Sequence, residues 1–192
     1  MSGHMSESLA TEATRRQLTA RQAETVRKLT EAGIDEVRRV GYEHLSIRDV
    51  ARRAGVAAAT AYTYFASRDH LLTEIFWRRL KALPPVITSP PAAKERAAAV
   101  LGELALIVSA EPELAAGCAA AMFGSDPNVR RLRLEIGIEI RRRIEAVAGP
   151  GSAAARLLEL AYFGAMVEAG LGYTTYGHVA DRLAEAADLI MG

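Results

Sequence analysis

The chain carries 24 Lys and Arg against 23 Asp and Glu over 192 residues, a formal net charge of +1, and half of its residues are apolar; that length can bury one full-sized core or two small ones. Its longest uncharged stretch is the fourteen residues from Ala54 to Ser67, against the roughly twenty that a membrane-spanning helix needs, and no basic start leads into a long apolar segment, so neither membrane passage nor secretion is expected. One cysteine, Cys118, excludes a disulfide framework within the chain and fits a reducing, cytoplasmic setting.

Alanine is abundant, Leu and Arg are frequent, and β-branched residues are scattered. Ala, Leu, Arg and Glu lose least on entering a helix, and no run alternates with period two between turn residues. An all-α fold is expected. The charge is uneven: Thr14 to Arg68 holds eleven Lys/Arg and six Asp/Glu, and Asp69 to Gly192 thirteen and fifteen. A basic N-terminal third on a neutral-to-acidic body suits a module that faces a polyanion, although such charge is often only solvated surface.

The first five residues read as a tag remnant ahead of a native Met5, and Arg15, Arg16 and Arg21 as a basic arm or a solvated tail. Thr19 with Gln22 three residues on has the spacing of a capping box. Val26, Leu29, Gly33, Val37 and Val40 then recur at helical steps and mark one buried face, which Gly41 ends. Ser46 and Asp49 open a second helix with Ile47, Val50, Ala51 and Ala54 on one stripe. Gly55 can turn the chain sharply through a left-handed conformation, Val56 fills the corner, and a third helix follows from about Ala57 to Phe65. Two short helices joined by a glycine turn make a helix-turn-helix. An ordinary helical hairpin in a bundle core has the same pattern, and spacing alone does not separate the two.

The residues after the turn carry more. Gly55-Val56-Ala57-Ala58-Ala59-Thr60-Ala61-Tyr62-Thr63-Tyr64-Phe65, followed by Ser67-Arg68-Asp69 and Leu71-Leu72, resembles the DNA-binding segment of TetR-family transcriptional regulators. Gly41-Tyr42, Leu45-Ser46-Ile47 and Val50-Ala51 stand where that pattern has them, so the resemblance spans roughly Ala20 to Leu72. Three positions depart from it. Ala57 replaces a usual Ser whose hydroxyl caps the recognition helix, a loss of about 1 kcal/mol. Ala61 replaces a larger aliphatic residue, and Arg68 a usual Lys.

The resemblance implies that the third helix enters the major groove of double-stranded DNA. That helix has no Arg or Lys, so the two-pronged contact to guanine is closed to it. Reading falls to the hydroxyls of Thr60, Tyr62 and Thr63 and to methyl contacts from Ala58, Ala59 and Thr60. Ser46, Ile47, Arg48 and Arg68 would lie along the sugar-phosphate chain and set register. Tyr64 would donate to a phosphate, or equally sit in the core. One small module binds weakly, so a homodimer on a palindromic operator is expected, with strong salt dependence.

The remaining helices are expected from about Ser67 to Leu83, Ala92 to Ser109, Pro112 to Phe123, Ser125 to Ala148, Ser152 to Tyr173 and Gly177 to Met191, each bounded by Pro, Gly or Ser. The expected division is 1–18 as tag remnant and arm, 19–66 as helix-turn-helix domain, and 67–192 as a helical ligand-binding and dimerisation domain. The resemblance implies a dimer interface on the last two helices. Ala161, Ala165 and Ala169 offer one stripe there, and Val179, Leu183, Ala186 and Ile190 another; packing inside one subunit would use the same residues. It also implies an effector pocket, with Trp77, Met122, Phe123, Tyr162, Phe163 and Met166 as candidate lining for a small apolar or amphipathic molecule. Each of these also suits plain core. Glu168 could orient a polar group there or face solvent.

No phosphate-binding glycine loop, metal-ligand histidine pair or nucleophile elbow occurs, so no catalytic residue, metal or cofactor is expected. The leading expectation is a ligand-responsive DNA-binding regulator, most often a repressor in the family it resembles. The alternative is a helical small-molecule-binding protein or enzyme whose first three helices have lost DNA, which the Ala57 departure keeps open.

Overall fold

The computed structural model describes residues 20–88 and 92–192. The expected arm over 1–18 and the Thr19 cap lie outside the described residues. Among those described, the chain forms nine α-helices and no strand: α1 (Ala20–His44), α2 (Ile47–Arg53), α3 (Ala58–Tyr64), α4 (Arg68–Ala82), α5 (Ala93–Ala105), α6 (Pro112–Phe123), α7 (Arg130–Ala148), α8 (Ala153–Gly170) and α9 (Tyr176–Met191). One 3-10 turn, Pro127–Val129, leads into α7.

Side-chain caps set several of these starts. Ser46, Ser67, Ser152 and Thr175 each accept a hydrogen bond from the backbone N–H three residues on, which satisfies a donor that a helix start leaves free. Ala57 does not, and α3 begins without a side-chain cap. Gly41 interrupts α1 with φ 73°, so its regular part ends where the pattern placed the stop. α5 ends at Ala105, four residues before the expected Ser109. There the Ser109 hydroxyl donates to the Leu106 carbonyl and Arg79 to that of Ile107, and the chain turns instead of coiling on.

One continuous core runs from Val26 to Ala187, and its tightest point is where α4 passes between α1 and α6. A methyl group added at Gly33 would stand 2.9 Å from Leu71, and one at Gly117 2.9 Å from Leu72. Consecutive leucines of α4 therefore fill a notch on either side. Farther along, Arg143 is buried on α7 beside Glu139 and donates to the Leu83 and Pro84 carbonyls. This supplies the donors that the end of α4 lacks and compensates a buried charge.

The turn between α2 and α3 depends on Gly55 at φ +66°. Open space surrounds the position of its missing Cβ, so a side chain there costs backbone strain and not a clash. Gly55→Ala should lower stability by about 1 kcal/mol, read as a shift in urea midpoint with an unchanged slope.

Candidate functional site

The second and third helices present one face to solvent. Arg48, Ala59, Thr60, Tyr62 and Thr63 are exposed, and Ala58 and Tyr64 are half-buried. Beneath them Ala61 and Phe65 close the small core against Val50 and Ala51. Thr63 spends its hydroxyl proton on the Ala59 carbonyl at 3.1 Å, which leaves its oxygen as an acceptor. Tyr62, half-exposed with its ring outward, is the largest side chain on this face.

Two residues expected on this face do other work. Ile47 is 4% exposed and belongs to the core, because the first turn of α2 must bury its one apolar side against α1. Arg68 donates through Nη1 to the Tyr42 and Glu43 carbonyls at 2.9 and 2.7 Å and stacks 4.1 Å from the Tyr42 ring. Its charge closes the frayed end of α1 instead of standing free for a phosphate. Ser46 is half-buried and donates to Asp49 at 2.6 Å while it caps α2. Arg48 is exposed and has no partner among the described residues.

Glu36 was not a candidate, yet it holds α2 on α1. It is buried, with Arg39 at 2.5 Å and Arg53 at 2.8 Å. The signal was present in the sequence: an acid stands three residues after Gly33, inside the apolar stripe of α1. The hydrogen bond from Arg39 holds its carboxyl below the ordinary value of 4.5, against the opposing effect of burial.

A cavity of about 250 Å³ lies in the helical body. Five of the six expected residues line it: Met122 and Phe123 from α6, and Tyr162, Phe163 and Met166 from α8. Trp77 is outside the wall, half-buried with the Lys81 ammonium 5.5 Å from its ring; its neighbour Phe76 takes the inward position on α4. Val108, Cys118, Ile140, Arg133 and Tyr176 complete most of the lining. The sequence pattern does not mark them, because the wall is assembled from six separate segments. Phe123 and Phe163 are exposed and mark the open side. Glu168 is half-buried, outside this lining, and pairs with Arg182 at 2.6 Å.

The expected dimer stripes face inward. Val179, Leu183 and Ala169 are buried, and Ala161, Ala165 and Ile190 pack on the same core; Ala186 is half-buried. Small residues on α8 and the apolar stripe on α9 serve packing within the subunit. The outward face of α8 carries Leu157, Leu160, Val167 and Leu171, all exposed, with Gly164 among them. Their steps of three, four, three and four residues have the spacing of a helix face suited to pack on another helix.

Residues 29–75 match the family described as bacterial regulatory proteins, tetR family. The chain is 43% identical over 175 residues to the uncharacterized HTH-type transcriptional regulator Rv0767c of Mycobacterium tuberculosis, with 89% of this chain and 82% of that one covered. It is 29% identical over 107 residues to the HTH-type transcriptional repressor KstR of Rhodococcus jostii, covering 55% and 50%. In fold it is similar to the transcriptional regulator FadR of Bacillus subtilis in complex with stearoyl-CoA, at a TM-score of 0.64, 18% identity, and 86% and 97% coverage. A helix-turn-helix transcriptional regulator is the class these observations define. The chain belongs to the tetR family of bacterial regulatory proteins. Among the described residues no helix is long and apolar enough to cross a membrane.

Because the Glu36 carboxyl titrates below its ordinary value, its stabilisation is complete above that value and is lost as pH falls through the lowered one. Glu36→Gln should cost about 2 kcal/mol at neutral pH, and the gap to wild type should shrink in acid. Urea denaturation at pH 7 and pH 3 measures this; an equal gap at both would assign the effect to packing.

Proposed function

We propose that the protein is a transcriptional repressor that holds a palindromic operator as a homodimer and leaves it when a small, mainly apolar effector fills the cavity. It would do so in the cytoplasm, where the DNA is. The observation that carries this reading is the double use of α6. Cys118, Ala119, Met122 and Phe123 line the cavity, while Gly117 is the notch that receives Leu72 of α4. The Cys118 thiol also donates to the Leu72 carbonyl at 3.6 Å. An occupant that moves α6 must therefore move α4, and α4 follows α3 after three residues.

The uncharged recognition helix favours readout through hydroxyl and methyl groups, with Tyr62, Thr60 and Thr63 at base edges and Arg48 on a phosphate. The likeness to a repressor supports the direction of control. The outward seam of α8 supports dimerisation, since a soluble monomer rarely leaves so long an apolar stripe in water. Its two-fold partner would use the same residues. The cavity's size and lining support an effector far smaller than the acyl-CoA bound by the Bacillus regulator.

Two measurements test the reading. Tyr62→Ala should weaken specific operator binding about tenfold at fixed salt, and Arg48→Ala should weaken binding to all sequences and reduce the salt slope by about one. Unchanged affinity in Tyr62→Ala would overturn the DNA assignment. Leu160→Glu should convert the dimer to a monomer in sedimentation, and a dimer that survives it would remove α8 from the interface.

A further inference from the structure

The cavity wall holds a polar atom that the fold does not use. Tyr162 is 2% exposed, yet its hydroxyl has no hydrogen-bond partner among the described residues. Phe76, Met122, Ile140 and Met166 surround the space with hydrocarbon and thioether. The polar groups nearby are committed elsewhere. The Cys118 thiol is turned to Leu72, and Arg133 directs Nη1 and Nη2 to the carbonyls of Met122, Gly124 and Asp126. Tyr176, at the start of α9, lines the same cavity, and its hydroxyl is likewise unpartnered among the described residues. Both phenols therefore stand on the wall of one cavity of about 250 Å³.

A hydroxyl that opens onto an apolar cavity and has no protein partner is left to donate to whatever occupies that cavity. A ligand with an accepting oxygen can pair with these phenols and keep its remaining surface against the apolar wall. Burial pushes both phenol pKa values up, so each stays protonated and can donate. An anion is disfavoured, because the cavity's one guanidinium is engaged and desolvating a charge is costly.

Granted that the cavity receives the effector, we propose that Tyr162 and Tyr176 form a clamp selecting ligands with one uncharged hydrogen-bond-accepting oxygen, such as a ketone or ester carbonyl, on a compact apolar body. The cavity of about 250 Å³ equals roughly eight waters of liquid volume, which limits that body to on the order of ten non-hydrogen atoms.

The test uses the full chain and three probes of nearly equal size: 4-phenylbutan-2-one, butylbenzene and 4-phenylbutanoate, titrated calorimetrically. Tyr162→Phe removes one oxygen and keeps the ring, and Tyr176→Phe repeats the change at a half-exposed position. Each variant should weaken the ketone about fivefold and leave butylbenzene unchanged. A ketone-to-hydrocarbon ratio that is the same in wild type and both variants would overturn the clamp and leave the effector cavity standing. So would tighter binding of 4-phenylbutanoate that is lost in Arg133→Ala. Failure of all three probes to bind would overturn the cavity reading together with the clamp.

Discussion

The structure depends on how closely α4 is held between α1 and α6. Leu71 and Leu72 sit in notches that exist only because Gly33 and Gly117 lack side chains. A polar staple closes the same junction: Glu111, just before α6, takes Arg38 of α1 at 2.8 Å and Arg79 of α4 at 2.5 Å. Close-packed interiors transmit displacement because they have no free volume to absorb it. Here that stiffness lies between the hollow part of the molecule and the helix-turn-helix.

The head shows how its arginines are apportioned. Arg39 and Arg53 neutralise buried Glu36, Arg52 pairs with Asp49, and Arg68 closes the end of α1. The basic character of the first third is thus largely structural, and it fixes the angle at which α3 is presented. With so much of the charge used internally, sequence-independent attraction to phosphate would be moderate, and in the proposed DNA complex the exposed hydroxyls and methyls of α3 would carry a larger share of recognition. Discrimination by such groups requires a rigid platform, because each contact is weak unless its geometry is held.

Much of the fold was legible because local chemistry decided it. Serine caps, prolines and the Gly55 turn act over three or four residues, and the helices begin and end close to where those signals stand. The candidate cavity was legible in kind, since large aromatics among alanines in α6 and α8 imply unfilled volume, and five of six named residues line it. What failed was direction. Ile47, Val179 and Leu183 have the periodicity of a face, but period does not say whether that face meets DNA, a second subunit or the chain's own core. Trp77 and Phe76 are adjacent, and only the rotation of α4 decides which one turns inward. The buried Glu36 was missed for a related reason: one of its two partners, Arg53, comes from another helix.

α8 brings these strands together, because its two sides do different work within one rigid element. Tyr162 and Met166 look into the cavity, while Leu157, Leu160, Val167 and Leu171 form the outward seam. Phe163 stands between the two and packs edge-on against Tyr162 with ring centres 5.4 Å apart. A ligand that draws on Tyr162 acts on the helix that would set the angle between two subunits. Through α6 it acts equally on the seat of α4. In the proposed homodimer the effect on paired DNA-reading heads would then have two origins, a tilt within each subunit and a rotation between them. Both would change the spacing of the heads, and a duplex with a fixed helical repeat tolerates little change in that spacing.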